Sequence, residues 1–147
     1  MKLSKTLKIS KEEYFDFIVN SFVQELPKAT KKRVSTNDIK EGFSYKQTYQ
    51  LKTGNFISRK VITEFEYGKV YALEMDLPDG KQYFKHEIQE KGPFKIKVHY
   101  TEIVNSKNSF QAIIRRFREF TAKAKMSGRF EAIEKHIISL RDEEKEA

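Results

Sequence analysis

The chain has no cysteine among its 147 residues. Disulfides, thiolate nucleophiles and Cys-ligated metals are excluded at once. No apolar run approaches the roughly 18–20 residues that a membrane-spanning helix needs, so no integral membrane segment is expected. The opening Met1-Lys2-Leu3-Ser4-Lys5 lacks the apolar core of a secretory signal, and these absences together predict a cytoplasmic protein. There is no glycine-rich phosphate loop, no internal repeat and no low-complexity region. His86, His99 and His136 have no paired spacing, so no metal and no cofactor are expected. No nucleophile, base and acid set is recognisable, and no catalytic residue is assigned.

What is present is a chain long enough for one domain over residues 1–147, burying roughly two-thirds of its unfolded surface. Its formal charge is +8, with eight Lys/Arg against three Glu between Lys107 and Lys135. Such an excess bears on solubility and weak attraction for anions, not on fold. A basic solvated surface is the simplest account of it.

The pattern of polarity changes period along the chain. Leu3, Leu7 and Ile9 alternate with polar residues and predict a strand over Lys2–Ile9. Ser10-Lys11-Glu12-Glu13 is a capping box, in which serine and glutamate satisfy each other's backbone N–H. Behind it Tyr14, Ile18, Phe22 and Leu26 repeat every four residues, predicting an amphipathic helix that ends at Pro27. From about Ile39 to Val104 the period is two. Phe43, Tyr45, Gln47, Tyr49 and Leu51 share one strand face, and Ile57, Arg59, Val61, Thr63, Phe65 and Tyr67 are expected to share the next. Tyr71, Leu73, Met75 and Leu77 follow, then Phe84, His86 and Ile88, then Phe94, Ile96, Val98 and Tyr100. Short turns such as Pro78-Asp79-Gly80 join them, which permits antiparallel neighbours and no parallel crossover. Phe110, Ile113, Ile114, Phe117 and Phe120 then mark a helical stripe, resumed by Phe130, Ile133, Ile137 and Leu140. Unbroken, this helix would run roughly 50 Å. A bend near Gly128 is therefore expected, or a terminal part that protrudes or packs on a second copy through Met126–Leu140.

This order predicts an α+β fold in which a curved antiparallel sheet of about six to seven strands wraps a long C-terminal helix. It resembles the helix-grip fold of the START-like superfamily, which includes birch-pollen-allergen-like proteins. The carriers are the opening Lys5-Thr6-Leu7-Lys8-Ile9-Ser10-Lys11-Glu12-Glu13-Tyr14-Phe15-Asp16-Phe17-Ile18, the closing strand Lys95–Val104 and the helix from Ser109. The chain is also similar to an uncharacterised family of small proteins from Gram-positive bacteria. The superfamily resemblance implies a cavity between sheet and long helix that binds lipids, hormones or polyketides, with a minority of members being enzymes.

If the apolar sheet face looks inward, its polar members become candidates. Arg59 could hold a ligand carboxylate or phosphate, and His86 could donate, accept or move a proton. Gln47, Thr63 and the hydroxyls of Tyr45, Tyr71 and Tyr100 could orient an amphipathic ligand. Val61, Leu73, Val98, Ile113 and Phe117 would form the apolar wall. The expected partner is a small apolar or amphipathic molecule, bound without catalysis. Alternatives are an interaction module that uses the C-terminal helix, and an enzyme acting on a hydrophobic carbonyl compound through His86. Specific nucleic-acid binding is not expected. Glu41-Gly42-Phe43-Ser44-Tyr45 is only faintly similar to an RNA-binding strand, with Glu41 where a basic residue belongs.

Overall fold

A computed structural model of the protein describes residues 1–30, 34–106 and 109–146, and their side chains except those of 27–30, 106, 109–121 and 146. The element order is β1 (Lys2–Leu7), α1 (Lys11–Thr30), β2 (Ser44–Leu51), β3 (Gly54–Glu66), β4 (Val70–Leu77), β5 (Gly80–Gly92), β6 (Lys95–Ser106) and α2 (Ser109–Glu146), with a short 3-10 turn at Thr36–Asp38. The six strands form one antiparallel sheet in the order β1-β6-β5-β4-β3-β2. Consecutive hairpins build it from β2 to β6, and β1 returns to pair with β6.

One sheet face is apolar and carries the core. Leu7, Ile62, Ile96 and Val98 on it are fully buried, and Tyr14 and Phe15 of α1 and Phe130 of α2 pack against it. The opposite face is charged and wet, with Lys85 paired to Glu64 and Lys81 paired to Glu74 across it. An antiparallel sheet tolerates this asymmetry because alternate side chains point to opposite faces.

The capping box forms as its sequence implies. Ser10 N donates to Glu13 Oε1 at 2.9 Å, and Glu13 N donates to Ser10 Oγ at 3.1 Å. The same carboxylate receives Arg141 of α2, with Nε 2.9 Å from Oε2 and Nη2 2.6 Å from Oε1. Partial burial pushes the Glu13 carboxyl up, but the guanidinium and the Ser10 backbone outweigh it and hold its pKa below the usual carboxylate range. One glutamate thus caps α1 and fastens the end of α2 to it.

One expectation about the helices is corrected. Pro27 does not end α1, which continues to Thr30. Proline forfeits only its own N–H bond to the carbonyl four residues back, and the buried Leu26 beside it helps to hold this turn of the helix in place. Gly128 does not break α2, which is one helix from Ser109 to Glu146. Its second half neither projects from the core nor offers a free apolar stripe. Phe130 and Ile137 are buried, Met126, Ile133 and Ile138 are partly buried, and Leu140 is the exposed member of that stripe. Lys5 anchors the same region by reaching Glu131 and the Ser127 hydroxyl. The packing of this half on its own sheet outweighs the cost of one glycine. A Cβ at Gly128 would meet nothing within 4 Å. Gly128→Ala should therefore stabilise the fold by about 0.5–1 kcal/mol, read as a higher urea midpoint at unchanged slope.

Candidate functional site

The β3 strand decides which side chains face the helices. Its pairing with β4 shifts register between Ile62 and Glu64, a bulge that inserts Thr63. Before the bulge the even-numbered residues face inward: Phe56, Ser58, Lys60 and Ile62 lie opposite Tyr49, Gln47, Tyr45 and Phe43 or their backbone. After it Phe65 joins the inner face opposite Tyr71. A bulge of one residue exchanges the faces of everything on one side of it. Arg59 and Val61, expected inside, consequently lie on the outer face, with Arg59 exposed opposite Lys46 and Val61 between Ser44 and Glu74. Thr63 is the inserted residue, and its hydroxyl is buried with no hydrogen-bond partner among the described residues.

Between the inner face and α1 lies an open-mouthed cavity of about 360 Å³. Helix α1 contributes Phe17, Ile18, Ser21, Phe22, Glu25 and Leu26, and the sheet contributes Tyr45, Gln47, Lys60 and Tyr71. Along α1, Tyr14 and Phe15 are buried and so is Leu26 further on, while Ile18 and Phe22 between them are only partly buried and line the cavity. Among the sequence-named candidates, Tyr45, Gln47 and Tyr71 therefore share one wall. Ile113 and Phe117 lie outside the described side chains.

Lys60 is the residue that sequence reasoning missed. Its Nζ donates to Gln47 Oε1 at 2.6 Å and sits 5.7 and 5.2 Å from the ring centroids of Tyr45 and Tyr49. The Tyr49 hydroxyl donates to the same Gln47 oxygen at 3.0 Å. The amide is thereby oriented, with its oxygen committed to these two donors. Burial, with Tyr49 adding to it, pushes the Tyr45 hydroxyl up to about 12, so it remains protonated and able to donate.

His86 lies deeper, among rings. Its Nδ1 is 2.9 Å from the Tyr14 hydroxyl, and its ring centroid lies 5.4 Å from Tyr71, 5.0 Å from Tyr100 and 6.0 Å from Phe130. Burial drives its pKa down to about 4 and raises those of Tyr14 and Tyr71. The protonated Tyr14 hydroxyl can donate to Nδ1, leaving the ring proton on Nε2. A neutral imidazole of such low basicity is a poor base at neutral pH, and it packs under the buried Phe130 ring. Leu73 and Val98 belong to the same core. Tyr100 donates to Glu102 Oε2 at 3.2 Å, and Gln82 reaches the other oxygen of that carboxylate. Glu102 was a second miss. It continues the inward alternation Ile96, Val98, Tyr100, so extending that pattern by one step would have found it.

A second cleft, of about 370 Å³, is lined by the polar Asp16, Asn20, Thr36, Asn37 and Tyr67 and the apolar Val19, Ile39 and Phe65. There the Tyr67 hydroxyl donates to Asp16 Oδ1 at 2.6 Å. Among the described residues no group of His, Asp and Glu is placed to hold a metal ion, and no helix is long and apolar enough to cross a membrane.

Comparison with solved structures agrees with this architecture. The chain is similar to Ara h 8.0201, at TM-score 0.57 and 19% identity over 95% of this chain and 97% of that one. It is similar to a START superfamily protein from Mycobacterium smegmatis, at TM-score 0.54 and 13% identity over 90% and 97%. It is also similar to norcoclaurine synthase from Thalictrum flavum in complex with dopamine and hydroxybenzaldehyde, at TM-score 0.60 and 11% identity over 95% and 86%. Identities this low speak to fold alone, and the fold is the helix-grip fold of the START-like, birch-pollen-allergen-like superfamily. No curated protein matches the chain in sequence. Residues 1–123 match the model of the family described as a domain of unknown function, DUF3284, and the chain belongs to that family.

Proposed function

We propose that the protein binds a small hydrophobic or amphipathic molecule, without transforming it, on the inner face of its sheet. The observation that carries this reading is the cavity of about 360 Å³ walled by Phe17, Phe22, Tyr45 and Tyr71. It falls in the size range of small-molecule sites, and it combines an apolar wall with a few converging polar groups. Burial of ligand surface supplies the drive, at about 25 cal/mol per Å² before the costs of ordering are met. The helix-grip fold supports the reading, since one similar structure holds dopamine and hydroxybenzaldehyde. The interaction-module alternative has less support, because the Met126–Leu140 stripe is used within the chain.

The test is titration of the protein with decan-1-ol, followed by NMR. Saturable shifts at Phe22, Tyr45 and Tyr71 are expected. Ser21→Trp, which places a large ring in the cavity, should weaken binding by about tenfold or more, the scale of 1.4 kcal/mol. Shifts confined to other surfaces, or none up to the solubility limit, would refute the reading.

A further inference from the structure

We propose that the molecule bound in this cavity is a singly charged anion of the fatty-acid type, its carboxylate at Lys60 and its chain against Phe17, Phe22 and Tyr71; this rests on the reading above that the cavity takes an amphipathic ligand. Lys60 stands on the cavity wall because the even-numbered residues of β3 face inward ahead of the bulge. An ammonium has three donors. Gln47 accepts one of them, and the rings of Tyr45 and Tyr49 offer only their faces. No carboxylate lies within ion-pairing distance of its Nζ among the described residues. A cation on a partly buried apolar wall is costly without a counter-charge, and an anionic head group would supply one.

The same wall limits the charge to one. Lys60 is accompanied by a neutral amide and a neutral phenol, and Glu25 at the mouth is exposed and negative. A dianionic phosphate would find one cation for two charges and a carboxylate near its entrance. A quaternary ammonium head would meet Lys60 itself. Gln47 Nε2 and the Tyr45 hydroxyl are additional donors on the cavity wall that a carboxylate can accept from.

The experiment compares decanoate, decan-1-ol and decyltrimethylammonium, three probes with the same chain and different heads, by calorimetric titration of the full chain at neutral pH. Decanoate should bind about tenfold tighter than decanol, as a charge-assisted hydrogen bond allows, and the ammonium weakest. In Lys60→Gln, decanoate and decanol should bind alike. In Lys60→Arg, which keeps the charge, the preference for decanoate should survive. Thermal melts confirm that each variant is folded. Equal affinities for decanoate and decanol in the natural protein would overturn the inference while leaving the binding reading in place. A preference for decanoate that persists in Lys60→Gln would overturn it too. Failure of all three probes to bind would remove the binding reading, and the inference with it.

Discussion

Phe130→Ala should lower the stability of the fold by about 3–5 kcal/mol, the range for deleting a fully buried phenylalanine. The ring has no exposed surface. It stands edge-on to His86 at 6.0 Å and to Tyr100 at 5.9 Å, so it plants the middle of α2 on the centre of β5 and β6. The ring cannot be replaced by collapse of its neighbours, because two of them sit on strands held by ladders on both sides. The loss would be a large share of the 5–15 kcal/mol that natural domains typically possess. Urea unfolding followed by circular dichroism measures it. Leu140→Ala, on the same helix but 45% exposed, serves as the comparison and should cost less than about 1 kcal/mol. A loss below about 1 kcal/mol for Phe130→Ala would mean that α2 is not docked through this ring.

The elements that were legible in the sequence are those set by local chemistry. The capping box at Ser10 and Glu13 forms with both of its bonds. The turn at Pro78-Asp79-Gly80 joins two strands, and the alternations of β4, β5 and β6 put Tyr71, Leu73, His86, Val98 and Tyr100 on one face. The inner half of β3 was not legible. Ile57, Val61 and Phe65 share parity, so simple alternation places them together and takes Arg59 with them. The actual core residue is Ile62, an odd number of positions from Phe65, and only the unpredictable insertion of Thr63 reconciles the two. That single residue removes Arg59 from the inner face and puts Lys60 on it. The cavity wall from α1 was hidden for a different reason. A helix with a broad apolar face can bury all of it or part of it, and the outcome depends on its angle to the sheet, which no local pattern encodes. Pro27 misled in the same way, since an intrinsic penalty of a few kcal/mol yields to tertiary packing.

Lowering the pH from 7 to 5 should cost the protein about 2 kcal/mol of stability through His86 alone. The sign follows from where the proton binds. The folded protein holds this imidazole neutral, with its pKa driven down from 6.5 to about 4 by burial among Tyr14, Tyr71, Tyr100 and Phe130. The unfolded chain accepts a proton as the pH falls through 6.5, whereas the folded chain accepts one only near 4. Between those values the unfolded state binds more protons, so stability falls as pH falls, and above 6.5 the contribution is flat. Glu13 acts in a separate window. Its folded pKa is held below the usual carboxylate range, so the stability it contributes is lost progressively as the pH falls from that range through the lowered value. Urea unfolding at pH 7, 6 and 5 therefore isolates the histidine. His86→Asn keeps a hydrogen-bonding atom near the Tyr14 hydroxyl but cannot titrate. It should be less stable than the natural protein at pH 7, because a smaller side chain leaves space among the rings, and its stability should change little down to pH 5. The difference between the two proteins would then shrink as the pH falls. If the natural protein and His86→Asn lost stability in parallel over that interval, the imidazole would not be held neutral in its ring of aromatic neighbours, and the inner face of the sheet would be wetter at β5 than its packing requires.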